Sequence, residues 1–286
     1  MSPVAEVTVV IPTLGASPYL REAVQSALAE QPADMIVVAN GGAEVELDGV
    51  RIVRLEEADR SAARNLGVGQ ARTPLVAFLD DDDAALPGRL ERQRAALEEA
   101  WWAPLAFGRV HVVDGDGHAL EDWNRLLDAR FSRLARTGAA SYEDVLAVQA
   151  PIYTSATMVR RDAFLAVGGF DSAFDAYEDL DLYLRLARIG DLLPVGGDPV
   201  TTYRLHGSNT RSPRLYDGAL RVAEKHLSGA TGRGRRLLLE RRVDALWGLE
   251  RYDEARRDAL RALVEEPSLL LHPRFARRLA GLALRR

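Results

Sequence analysis

The chain has 286 residues, 47 % of them hydrophobic, and its 42 acidic against 37 basic side chains give a formal net charge of −5, the balance of an ordinary globular protein. No apolar run reaches the roughly 18 residues a membrane span needs. The absence of cysteine excludes disulfides and thiolate metal sites. The length suits one large domain with an appendage, or two smaller domains. The short stretch before the first strand predicts no signal peptide and a cytoplasmic location.

The first hundred residues alternate strand and helix. Val7 to Ile11 is a β-branched run of the kind buried on both faces of a sheet. Pro12 to Ser17 reads as a loop and Tyr19 to Gln31 as a helix with apolar Leu20, Ala23, Val24, Ala27 and Leu28. Met35 to Ala39 and Val50 to Leu55 follow as strands, then a helix over Ser61 to Gln70 and a fourth strand over Leu75 to Leu79. This rhythm predicts an α/β fold with a mostly parallel sheet and flanking helices. In such sheets ligands gather at the carboxyl ends of the strands, where Pro12, Thr13, Asn40 and Asp80 fall.

The next section is less regular. A single strand is expected over Leu105 to Val113, a turn at Asp114 to Gly117, helices over Trp123 to Leu134 and Tyr142 to Val148, a short strand over Ala156 to Val159, and a helix over Glu178 to Arg188. Beyond residue 215 the pattern is wholly helical. Residues 1–218 carry 21 basic and 33 acidic groups, whereas residues 219–286 carry 16 and 9. The basic tail permits peripheral association with an anionic membrane surface or an acidic partner, although arginines spread along helices also make a solvated face. Lys225 is the only lysine. Ala245 to Pro267 is similar to a single tetratricopeptide-type unit, but about three stacked units are needed for a stable array, so a helical cap is expected.

Four consecutive aspartates, Asp80 to Asp83, end the apolar run Pro74 to Leu79. Two like charges ~4 Å apart repel by about 4 kcal/mol at an effective dielectric near 20. A divalent cation removes that repulsion, and oxygen ligands in a DxD spacing suit Mg2+ or Mn2+. The same carboxylates also suit a helix N-terminus, with Pro87 in the first turn ahead of Arg89 to Ala100.

Five segments, in order, resemble the family 2 glycosyltransferases of the GT-A fold. They are Val9-Val-Ile-Pro-Thr13, Ser61-Ala-Ala-Arg-Asn-Leu-Gly67, Phe78-Leu-Asp-Asp-Asp-Asp83, Gly168-Gly-Phe-Asp171 with Tyr177-Glu-Asp-Leu-Asp-Leu182, and Tyr203-Arg-Leu-His206. The resemblance implies a GT-A domain over 1–215, divided into a nucleotide-sugar-binding half (1–103) and an acceptor-binding, catalytic half (104–215). A helical cap then spans 216–286. It further implies an inverting, metal-dependent transfer of a hexosyl group from a nucleotide-diphosphate sugar to an acceptor hydroxyl on a glycan, glycolipid or small metabolite.

Carried onto this chain, the resemblance makes Asp82 a ligand of Mn2+ or Mg2+ and Asp80 a ribose-side or metal contact. Asp83 becomes a supporting ligand or an acceptor behind the ligands, and an extended segment would turn Asp81 the other way. Asp179 becomes the general base and Glu178 orients it or the acceptor. His206 would touch the metal or diphosphate and Ser208 a phosphate oxygen, with Arg204 and Arg211 as alternative phosphate partners. Arg64 and Asn65 would line the nucleotide side, and Pro12 and Thr13 would meet base or ribose through backbone groups. The chain departs from the family at Ala39, where an aspartate commonly reads a pyrimidine edge; the amide of Asn40 can substitute. Trp101, Trp102 and Trp123 are candidates for stacking on a sugar.

Rival classes fit less well. A haloacid dehalogenase-type phosphatase lacks its threonine, because Ala84 and Ala85 follow the aspartates. Gly67-Val-Gly-Gln-Ala-Arg72 is not a dinucleotide fingerprint, and the negative charge argues against nucleic-acid binding. The non-enzymatic alternative is a sugar-nucleotide-binding scaffold with a degenerate site and a partner-binding helical tail.

Overall fold

The computed structural model describes residues 4–147, 151–205 and 213–284. The chain divides into two compact units, one comprising residues 1–172 and 182–209 and the other residues 173–181 and 210–286.

Among its described residues, the first unit holds ten strands: β1 (Val4–Thr13), β2 (Pro32–Asn40), β3 (Arg51–Leu55), β4 (Leu75–Phe78), β5 (Ala84–Ala85), β6 (Leu105–Gly108), β7 (Val110–Val113), β8 (Thr157–Arg160), β9 (Leu193–Val195) and β10 (Thr201–Arg204). Seven form one sheet in the order β3-β2-β1-β4-β8-β6-β9. Pairing is parallel throughout except that β8 runs antiparallel to β4 and β6. A small sheet, β5-β10-β7, stands beside it. The expected α/β class with a mostly parallel sheet is therefore observed.

Alternation along β1 sets the layers. Val7, Val9 and Ile11 share one core cluster with Ala23 and Val24 of α1 (Leu20–Ala29). Leu90 and Leu97 of α3 (Arg89–Glu99) join the same cluster. Val10 points the other way, onto α2 (Arg60–Gln70), where a Cβ on Gly67 would lie 2.4 Å from Val10 Cγ1. Gly67 is thus the residue that lets the helix lie against the sheet. Gly67→Ala is expected to cost about 1–3 kcal/mol of stability by overpacking; urea unfolding checks it, and an unchanged midpoint would contradict this packing.

The helix expected after Pro87 is α3 (Arg89–Glu99), capped by Gly88 in the left-handed region at φ 77°. The strand expected over Leu105 to Val113 is two strands in two sheets. The chain steps between them at Gly108–Arg109, where a Cβ on Gly108 would lie 2.4 Å from Val200 Cγ2. Both halves are apolar, which is why they read as one run. The remaining helices of this unit are α4 (Glu121–Thr137), α5 (Tyr142–Leu146) and α6 (Arg161–Ala166).

Helix α7 (Glu178–Leu186) begins in the second unit. That unit otherwise comprises α8 (Pro213–Leu227), α9 (Gly232–Gly248), α10 (Tyr252–Glu265) and α11 (Pro273–Leu284), packed around Leu220, Val243, Leu246, Ala255, Ala259 and Phe275. Several tail arginines pair within the unit: Arg242 with Asp258, Arg278 with Asp244, and Arg235 with Glu265. No helix among the described residues is long and apolar enough to cross a membrane.

Candidate active site

The aspartates do not continue β4 as an extended strand, nor do they begin a helix. β4 ends at Phe78, and the N–H of Asp83 donates to the Asp80 carbonyl (3.2 Å), so Asp80 to Asp83 form a turn. Ala84 and Ala85 then pair with Thr202 and Thr201 of β10. Anchoring at both ends, in two different sheets, fixes a turn whose four side chains repel one another. The expectation that Asp81 alternates away from its neighbours fails with the strand. Instead the Thr13 hydroxyl donates to Asp81 Oδ2, and the Ser17 hydroxyl donates to the Asp81 carbonyl (2.8 Å).

Each carboxylate meets a different environment. Asp80 is ion-paired with Arg64, and its N–H donates to the Ser155 hydroxyl (3.0 Å). Burial pushes its pKa up, but the charges of Arg64 and Arg60 and the hydrogen bonds from Arg64 and Ser155 hold it below the usual value. Asp81 is raised to about 6, by burial first and then by the charges of Asp82 and Asp80, against the hydrogen bond from Thr13. Asp83, 2 % exposed, is raised well above the ordinary range by burial and by Asp80 and Asp82. Hydrogen bonding from the Ser155 side chain and from the Arg204 N–H, which its Oδ1 accepts at 2.8 Å, works against that rise, while its buried Oδ2 has no hydrogen-bond partner among the described residues. An orphaned carboxylate oxygen amid like charges is a costly arrangement for a proton-free pocket and a natural one for a hard cation. Hard carboxylate oxygens of this kind are the donor class that Mg2+ and Mn2+ take.

Two arginines hold the turn. Arg64 is 1 % exposed and reaches Asp80 from α2, with its guanidinium 5.1 Å from the centre of the Phe170 ring. Asn65, its neighbour, accepts from the Phe170 N–H and donates to the Phe170 carbonyl, both at 2.8 Å. The two segments that the sequence treats separately, Arg64-Asn65 and Gly168-Gly169-Phe170, are thus one assembly. Gly169 is required there: its φ is 67° and a Cβ would lie 2.5 Å from Asn65 Oδ1. Asn65, expected on the nucleotide side, forms this backbone clamp. Arg64→Met is expected to destabilise the fold by about 2–3 kcal/mol. That is less than the ~3–5 kcal/mol for breaking a fully buried pair, because the Asp80 side chain keeps 25 % exposure. Chemical denaturation measures the difference; a loss under about 1 kcal/mol, the scale of a surface pair, would deny Arg64 that role.

Arg204, 5 % exposed, is the second holder. Its Nε donates to the Asp82 carbonyl (3.0 Å), it pairs with Glu22 (3.0 Å), and its guanidinium stacks 4.0 Å from the centre of the Tyr19 ring. Arg204, expected as an alternative phosphate partner, makes these contacts with the turn itself and with Glu22 and Tyr19. Asn40 Nδ2 donates to the Thr13 carbonyl (2.9 Å) and Thr13 Oγ1 accepts from the Gly15 N–H (2.9 Å), so both residues brace the loop after β1. Pro12 stays within β1, opposite Val38, and Ala39 is a core residue at 1 % exposure. His206, Ser208 and Arg211 lie outside the described residues. Trp101, Trp102 and Trp123 are all exposed. Among the described residues, the three potential metal ligands whose ligand atoms lie within 4.8 Å of one another are Asp114, Asp116 and His118, not those of the Asp80–Asp83 turn; Asp114 Oδ1 accepts from the N–H groups of Asp116 and His118 (2.9 Å each).

In the second unit, Glu178 is buried and Asp179 half-buried in the first turn of α7, where carboxylates meet the positive end of the helix dipole. Tyr177, just before them, has φ 65°, a conformation that costs a non-glycine residue of order 1–3 kcal/mol and concentrates at functional turns. Its ring lies 5.8 Å from the Arg241 guanidinium of α9.

Comparison with known proteins bears on the family and the fold. Residues 15–225 match the profile of the family described as glycosyltransferase like family 2. The chain is 30 % identical over 196 residues to the uncharacterised glycosyltransferase YwdF of Bacillus subtilis (strain 168), a match covering 64 % of this chain and 68 % of YwdF. It is 24 % identical over 197 residues to the O-antigen biosynthesis glycosyltransferase WbnJ of Escherichia coli, covering 64 % and 72 %. Among solved structures, S. aureus TarS 1-349 in complex with UDP-GlcNAc is similar with a TM-score of 0.62 at 14 % identity, over 97 % of this chain and 80 % of that one. The mannosyltransferase PcManGT from Pyrobaculum calidifontis, in complex with GDP-Man and Mn2+, gives 0.59 at 15 % identity, over 97 % and 84 %. At such identities the structural likeness is one of fold, and it is the GT-A type expected from the motifs. Profile, relatives and fold converge: the chain belongs to glycosyltransferase family 2.

Proposed function

We propose that the chain is an inverting, divalent-metal-dependent glycosyltransferase that moves a hexosyl group from a nucleotide-diphosphate sugar to an acceptor hydroxyl. The observation that carries this reading is the Asp80–Asp83 turn, with its unpartnered, buried Asp83 oxygen. Asp82, Asp83 and Asp80 would hold Mn2+ or Mg2+, with His206 as a further ligand; when bound, the ion offsets negative charge on the diphosphate. That PcManGT was solved with GDP-Man and Mn2+, and TarS with UDP-GlcNAc, supports both the metal and the donor class.

The protein's own groups do the rest. Arg64 and Arg204 keep the turn rigid, so that the carboxylates need no reorganisation as charge develops on the leaving group. Asp179 accepts the proton of the acceptor hydroxyl while that oxygen attacks the anomeric carbon. The bond from that carbon to the diphosphate oxygen breaks, and its electron pair leaves with the diphosphate. One base and no protein nucleophile make this a single displacement, hence inversion. Glu178 orients the base or the acceptor.

UDP-GlcNAc and GDP-mannose, incubated with the protein and Mn2+, test the reading through release of free nucleoside diphosphate. Release is expected with Mn2+ or Mg2+ and not in EDTA, and the first sugar anomer seen by NMR should be β from an α-linked donor. Equal release in EDTA removes the metal, and an α anomer removes the single displacement.

A further inference from the structure

We infer that His226 and Lys225 are positioning residues for the candidate base, acting through Asp181. This rests on the reading of Asp179 as that base, and every contact it uses lies within the second unit.

Asp181 occupies the first turn of α7 and is fully buried, at 0 % exposure. A carboxylate removed from water needs a charged or hydrogen-bonding partner. It finds two on consecutive residues of α8. His226, itself 1 % exposed, brings Nε2 to 2.9 Å from Asp181 Oδ1. Lys225 places Nζ 3.0 Å from the same carboxylate and 5.1 Å from the centre of the Phe174 ring. The chain's only lysine, with a histidine that has no motif around it, is thus spent on one buried acid.

What the contact controls is rotation. Residues two apart on an α-helix point about 200° from each other. Seating Asp181 against α8 therefore fixes the opposite bearing of Asp179, at the helix end where fraying is easiest. α8 grips the preceding chain too. Gly218 lets it approach so closely that a Cβ there would lie 2.5 Å from the Ala176 carbonyl oxygen. The left-handed Tyr177 is then held between that grip and the Asp181 anchor. Helix α8 accordingly sets the bearing of the candidate base at the start of α7. A base displaced by ~1 Å can lose about a hundredfold in rate while donor binding is untouched.

The test uses the full chain with Mn2+ and whichever of UDP-GlcNAc or GDP-mannose the wild-type protein cleaves, reading kcat and KM for release of nucleoside diphosphate. His226→Ala is expected to lower kcat by roughly 10- to 100-fold with KM within about twofold. His226→Gln, whose amide can still donate to Asp181, should recover most of that loss, and Lys225→Met should show a smaller fall in kcat alone. A stability role without positioning would give normal kcat for the folded fraction, and that result overturns the inference. So does a parallel rise in KM. If His226→Ala does not fold, the other two variants decide: full kcat in both overturns it, and a kcat loss in Lys225→Met at unchanged KM supports it. Asp179→Asn runs alongside. Near-normal turnover there defeats the base assignment, whereas an inactive Asp179→Asn beside a fully active His226→Ala defeats only the positioning. A wild-type protein that releases nothing from either donor overturns both.

Discussion

Asp82→Ala is expected to abolish the Mn2+-dependent part of nucleoside-diphosphate binding, read as the Mn2+-induced rise in melting temperature with UDP or GDP present. Asp80 has its charge answered by Arg64, and Asp83 is buried with one oxygen tied to Arg204. Asp82 lies half-buried between them, its carbonyl clamped by Arg204 Nε. Its charge is also among those raising Asp81 and Asp83. Removing it takes away a ligand and relieves like-charge repulsion together. The melting temperature without metal should therefore hold or rise at pH 7.5, which separates a lost site from a damaged fold. The pH dependence has a definite sign. A carboxyl whose folded pKa is about 6 against an unfolded value near 3.9 favours folding in its protonated form. The penalty is absent below the unfolded value, grows as pH rises between the two, and is complete above 6. A cation that answers the charge restores what was lost, so wild-type stabilisation by Mn2+ should be larger at pH 7.5 than at pH 5. A Mn2+ response in Asp82→Ala equal to wild type would move the metal away from this turn.

The parts of this molecule legible in its sequence are those encoded over a few residues. Buried β-branched runs such as Val7 to Ile11 announce strands, and Asp80 to Asp83 announces a charged strand end, because neither needs a distant partner to be recognised. Where the answer lies in a distant partner, local pattern is silent. Nothing around Asn65 reveals that its amide is spent on Phe170, 105 residues away, and nothing near Arg204 reveals that its N–H and Nε serve Asp83 and Asp82. Ser155, which receives the Asp80 N–H, lacks any motif at all. The split of Leu105 to Val113 between two sheets turns on Val200 approaching Gly108, a contact no periodicity contains. His226 reads as a histidine without context for the same reason: its context is Asp181, 45 positions earlier.

Asp179→Asn is expected to leave donor affinity within about twofold of wild type and to lower turnover by roughly a hundredfold or more, the scale of a lost general base. The asparagine is nearly the same size and keeps the helix end polar, so its half-buried site in the first turn of α7 accepts it without a cavity. What it lacks is a lone pair basic enough to take the acceptor proton. Donor binding is proposed to rest on the Asp80–Asp83 turn and its arginines, which this substitution leaves intact, and so should not change. The two predictions thus separate functions by residue: Asp82→Ala acts on metal and donor affinity, Asp179→Asn on turnover at saturating donor. Glu178→Gln supplies the control within the same turn. If Asp179 is the base, Glu178→Gln retains measurable turnover with a changed acceptor KM; if Glu178 is the base, the loss of turnover transfers to it and Asp179→Asn runs near the wild-type rate. A protein in which both variants turn over normally has its base elsewhere, and the first turn of α7 is then a structural feature alone.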